Sequence, residues 1–140
     1  MATRGLPRWP QADADADTLA EGARLLLDAA RAWAAPGPAG PLPQASLVLA
    51  AEDLGELALP LDSALRRLPG LVLACPLCPR LAAEESALIA ALAAIQRGQR
   101  SLGLAVLQSL APPLQAYQAM PALIAVASAM ARAGLSLTRG

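Results

Sequence analysis

From Ser101 to Ala131 no residue carries a charge. A run of that length must find an apolar setting, because helix surface that water cannot solvate well drives burial or association. It is long enough to cross a bilayer. However, Pro112, Pro113 and Pro121 interrupt it, and Gln108, Gln115 and Gln118 make it polar at intervals. The pattern predicts two buried helices with a kinked connection, with a membrane-embedded hairpin as the rival reading. Proline and glycine divide the rest of the chain in the same way, at Pro36-Gly37-Pro38, Pro69-Gly70, Gly98 and Gly134. Between these breaks the residues are mostly Ala and Leu at helical spacing. Leu71–Ala74 is apolar but has no second clear strand to pair with, so it reads as a buried connection. The expected class is all-α, a compact bundle of about five or six short helices.

The expected domain organisation is a flexible N-terminal tail over 1–16 and a single helical domain over 17–140. Within that domain a Pro/Gly linker covers 36–43, a CPxC turn covers 75–79 and a three-helix unit covers 81–134. Thr18 with Glu21 reads as a capping box opening the first helix. Leu19, Ala23, Leu26, Ala30 and Trp33 form its apolar stripe, and Glu21, Arg24, Asp28 and Arg31 its wet face. Ser46 is expected to cap a second helix with Leu47, Ala51 and Leu54 on one face. Asp62 is expected to cap a third, carrying Leu61, Leu65 and Leu68. Leu81, Leu88, Leu92 and Ile95 mark a helix over 81–97, with Glu84 and Glu85 favouring its positive end. Leu102, Val106 and Leu110 mark the next helix. A last one, starting at Pro113 or reset at Pro121, carries Leu123, Val126, Ala127 and Met130, and Leu135–Gly140 reads as a short tail.

Eleven basic and eleven acidic residues give no net charge. Every acidic residue lies at or before Glu85, which leaves Arg97, Arg100, Arg132 and Arg139 alone in the second half. Four dispersed arginines do not make a nucleic-acid footprint, so no nucleic-acid partner is expected. Lys, Asn, Phe and His are absent. The first three have AT-rich codons, so the composition reads as a high-GC bacterial coding sequence. Met1–Pro10 lacks the apolar stretch of a signal peptide, and a cytoplasmic setting is expected.

Without histidine the usual general base and the Ser/Cys–His arrangements are missing, so no enzymatic activity is expected. Glu52, Asp53 and Glu56 form an acidic cluster that reads mainly as a solvated helix face. Arg66-Arg67 could grip an anion but sits in no phosphate-binding pattern.

Cys75 and Cys78 remain as the candidate site, and three readings of them stand. They are small side chains at a structural turn. They are half of a four-ligand zinc site that a second chain completes. Or they are a reversible thiol pair. Over four residues Cys75-Pro76-Leu77-Cys78 resembles glutaredoxin-like active sites, which implies thiol–disulfide exchange. It is also similar to the CPxC of the zinc hook, which implies zinc shared between two chains. No family is identified from the remainder of the chain. The leading functional expectation is a small helical protein acting by protein contact, as a homodimer or an adaptor. Its warrant is more apolar helix face than a short bundle easily hides. The zinc-bridged dimer or thiol protein, and a membrane-associated protein, are the alternatives.

Overall fold

The computed structural model describes residues 15–35 and 37–138. Among these residues there are six α-helices, two 3-10 turns and no strand, as the all-α reading requires. The helices are α1 (Glu21–Ala34), α2 (Pro41–Ala50), α3 (Ala58–Leu65), α4 (Ala83–Gln96), α5 (Arg100–Leu107) and α6 (Pro113–Arg132). The 3-10 turns are Ala16–Thr18 and Gly55–Leu57. Helix α1 packs on α2 and touches α4. Helix α4 packs on α5 and α6, and α3 closes the bundle against α6 and α2.

Helix α4 runs through the middle. From Glu85 to Ile95 every residue except the half-buried Ala90 is buried. A helix this apolar on all sides needs neighbours all round, and Leu81, Leu88, Leu92 and Ile95 sit in the core as their spacing predicts. Gly98, at φ 86°, ends the helix in the left-handed region that glycine enters without cost. The chain then returns as α5 close against α4. A Cβ on Gly103 would stand 2.7 Å from Ile95 Cγ1 and 3.1 Å from the Ala91 carbonyl oxygen. Helix α6 begins at Pro113, where a missing N–H costs nothing. It passes through Pro121 without ending and buries Leu123, Val126, Ala127 and Met130. By length and composition α6 is the one described helix able to cross a membrane, and 39% of its most apolar window is buried within this fold.

Several local expectations give way. Residues 1–14 of the expected tail lie outside the described residues, but Asp15 and Ala16 belong to the fold: Ala16 is buried and its N–H donates to the Pro79 carbonyl at 2.7 Å. The Thr18–Glu21 capping box does not form. Thr18 Oγ1 donates instead to the Asp15 carbonyl, and α1 starts after Ala20. Helix α2 starts at Pro41, inside the stretch expected to be linker, because proline at a first helical turn is pre-set for it. That start, rather than Ser46, sets its register: Ala45 and Leu49 face the core and Leu47 is exposed. Asp62 is internal to α3 and not its cap, while Leu61, Leu65 and Leu68 are buried as expected. Val72 is exposed, so Leu71–Ala74 is only partly covered. The expected C-terminal tail is also tied down as far as Thr138. Leu137 is buried, its N–H donates to Gln96 Oε1 at 2.9 Å, and Gln96 Nε2 donates to the Leu135 carbonyl.

Candidate functional site: a clamped cysteine turn and an open apolar groove

Cys75 and Cys78 stand at the ends of one turn. The Cys78 N–H donates to the Cys75 carbonyl at 3.0 Å, with Pro76 and Leu77 between them. Proline's fixed φ suits the second position of such a turn. Cys75 is exposed, Cys78 half-buried, and Leu77 at the tip is 92% exposed. Free cysteine is ordinarily among the most buried residues, so the reading of two small side chains packed in a turn does not describe this pair. Cys78 Sγ lies 3.5 Å from the Arg80 carbonyl as a donor.

What holds the turn is a buried ion pair. Arg31, on α1, is 1% exposed, and Glu85, at the third position of α4, is equally buried. Arg31 Nε donates to Glu85 Oε2 at 2.7 Å and Arg31 Nη2 to Oε1 at 2.8 Å, a two-pronged contact. The guanidinium also reaches the turn. Nη1 donates to the Cys78 carbonyl at 2.6 Å and Nη2 to the Arg80 carbonyl at 3.0 Å. The carboxylate accepts from the Ala74 N–H at 3.0 Å and the Ala82 N–H at 2.9 Å. The pair therefore grips the chain immediately before the turn, within it and after it, and Ala16 adds a fourth hold at Pro79. Each nitrogen of the guanidinium and each oxygen of the carboxylate has a partner, which is the condition for a buried polar cluster to be tolerated and to fix one conformation.

The electrostatics follow from this arrangement. Burial pushes the Glu85 carboxyl up, and the hydrogen bonds from Arg31, Ala82 and Ala74 outweigh it, leaving the group below its ordinary range. The hydrogen bond to Glu85 raises Arg31 despite its burial. The pattern of α1 puts Arg31 on its wet face with Glu21, Arg24 and Asp28, and the helix dipole alone would account for Glu85, yet the fold buries the two together. Only Arg24 and Asp28 pair as expected, at 3.2 Å. Arg31 follows buried Leu27 by one turn, and nothing in a single helix pattern shows that α4 supplies its counter-charge. A glutamate three residues into a helix and ten residues after a cysteine was the available signal for Glu85.

The other candidates do not assemble. Glu52, Asp53 and Glu56 are exposed, and α2 ends before them, so Glu52 and Glu56 do not share a helix face. Asp62 accepts from Trp33 Nε1 at 2.8 Å and from Arg66 Nε at 3.0 Å. Burial raises its carboxyl, and these two donors bring it below its ordinary value. Arg67 Nη1 donates to Gln118 Oε1 at 2.9 Å, so both adjacent arginines are engaged within the fold. No group of three or more cysteine or carboxylate donors gathers among the described residues.

A second feature lies between α5 and α6. A groove of about 340 Å³ is lined by Arg100, Leu104, Tyr117, Met120, Pro121 and Ile124 among others. Leu114 and Tyr117, one turn apart on α6, are each 66% exposed. Pro121 has no N–H to donate to the Tyr117 carbonyl, so an acceptor is left without its helical donor beside the apolar wall. Arg100 supplies the charge of the groove, and among the described residues no carboxylate lines it. Carboxylates collect instead at a cleft beside α1, where Glu21, Asp28 and Glu52 surround Arg24. The chain as a whole matches no protein-family model, no curated protein and no solved structure.

Proposed function

We propose that this protein is a non-enzymatic helical binding module that holds an apolar, acid-flanked segment of another protein in the α5–α6 groove. The observation that carries the reading is the unpartnered face of α6: Leu114 and Tyr117 stand out in water beside a groove walled by Leu104, Pro121 and Ile124. An apolar helix face laid into such a groove is a recurring mode of recognition. Charge chooses the occupant. Arg100 is the only charged residue of the lining among the described residues, and the sequence has no acidic residue after Glu85. A second copy docking symmetrically through the same face would offer Arg100 no carboxylate from the described lining. A foreign segment with glutamate or aspartate beside its apolar residues satisfies both features.

Two synthetic helical peptides test this. Both carry leucine along one face, one flanked by glutamate and the other by lysine. The acidic peptide is expected to bind with a salt-sensitive affinity. Tyr117→Ser should weaken it, and Arg100→Glu should reverse the preference between the two peptides. Equal binding of both peptides, or acidic-peptide binding indifferent to Tyr117→Ser, would overturn the reading. Sedimentation at micromolar concentration is expected to find a monomer. A dimer dispersed by Tyr117→Ser would make the second copy the occupant. Adsorption to neutral lipid vesicles through the same residue would make it a membrane face. Either result defeats the proposal.

A further inference from the structure

We propose that Cys75 and Cys78 form, within one chain, a complete two-thiolate site for a soft monovalent cation of the Cu(I) type. Three observations lead there. The donor set is two sulfurs, with no group of three or more possible ligands among the described residues. Zinc requires four ligands and would leave half its coordination open, whereas a closed-shell monovalent cation is saturated by two thiolates, and soft sulfur selects it. The spacing also suits one small ion. The Cys78 N–H to Cys75 carbonyl bond makes the four residues a closed turn, which brings its end Cα atoms within about 7 Å. Finally, the backbone is ordered independently of any ion. Arg31 holds the carbonyls of Cys78 and Arg80, and Glu85 holds the N–H groups of Ala74 and Ala82. Preorganisation of this kind removes the ordering cost from the binding step. The same exposure of Cys75 that does not fit a packed structural role leaves a path for the ion to arrive and depart.

The chemistry is a ligand exchange. Two thiols release two protons to solvent, two sulfur–metal bonds form, and the complex carries one negative charge. No electron is transferred. The neighbouring Glu85 carboxylate is already neutralised by Arg31 at 2.7 Å, so the charge of the complex meets no uncompensated carboxylate from that residue.

The test uses the full chain, reduced and free of oxygen, titrated with Cu(I) against a competing chelator and in parallel with Ag(I), which is inert to redox change. The expected result is one ion per chain on a species whose native mass is that of the monomer. Binding should be lost in both Cys75→Ser and Cys78→Ser, with helical circular dichroism unchanged. One ion per two chains with a dimeric mass would overturn the proposal in favour of a shared four-ligand site. Retained binding in either serine variant, or no binding by the unsubstituted chain, would overturn it outright.

Discussion

The cysteine turn and the α4–α6 half of the molecule are held by opposite means. In the helical half, small and apolar side chains do the holding: Gly103 brings α5 against Ile95, and Leu92, Leu107, Leu123 and Met130 are buried. No ion pair joins these three helices among the contacts described. The turn has exposed side chains at Cys75, Pro76, Leu77 and Pro79 and little apolar surface to bury. Its shape is imposed through its backbone, chiefly by one arginine and one glutamate, with the Ala16 N–H holding Pro79. The difference is instructive. Helices satisfy their own backbone and need only a face to bury, whereas a loop has open N–H and carbonyl groups, which polar side chains from elsewhere can fix. Ion pairs of this kind are poor sources of stability, and conformational specificity is the role they are better suited to.

The comparison breaks most readily at the pair. Glu85→Ala strands the Arg31 charge in the interior and is expected to cost about 3–5 kcal/mol in chemical denaturation. The pair is also sensitive to acid. Glu85 titrates below its ordinary value in the folded chain, so its contribution is complete above the unfolded value of about 4.3 and is lost as pH falls through the lower folded one. The stability gap between the unsubstituted chain and Glu85→Gln should therefore narrow below about pH 4. A gap independent of pH would remove ionisation from the account. Leu92→Ala probes the other region and should cost about 2–5 kcal/mol through the cavity it leaves. That variant should leave the Cys78 amide as protected as the remaining stability allows. Gly103→Ala is expected to cost about 1–3 kcal/mol, since Ile95 and the Ala91 carbonyl must give way. At the small end, Arg24→Ala, on the same helix as Arg31 but half-buried and paired near the surface with Asp17 and Asp28, should change stability by no more than about 1 kcal/mol. Near-equal effects at Arg24 and Arg31 would erase the contrast between a surface pair and a buried one.

The helices were legible in the sequence to the degree that each could be read from its own apolar spacing. The stripes Leu88–Leu92–Ile95 and Leu123–Val126–Met130 announce themselves because packing and periodicity agree. Where a proline competes with a side-chain cap the sequence misleads: Pro41 opens α2 ahead of Ser46 and turns Leu47 outward. The cysteines were visible by type. Their support was not, because Arg31 and Glu85 are 54 residues apart and each has a sufficient local explanation on its own helix. A contact of that separation leaves no periodic trace. The groove was visible only as an excess of uncharged helix, and which of its residues remain in water depends on how α5 crosses α6.

The most direct test separates stability from shape. In the double variant Arg31→Met with Glu85→Leu, apolar side chains replace both charges, so overall stability should remain within about 2 kcal/mol of the unsubstituted chain. The Cys78 amide, whose partner is the Cys75 carbonyl and neither member of the pair, should then be followed by hydrogen exchange. Exchange at Cys78 is expected to be faster while the amides of α4 and α6 keep their protection. An unchanged Cys78 amide in a stably folded double variant would contradict the claim that the buried pair exists to hold the cysteine turn in shape.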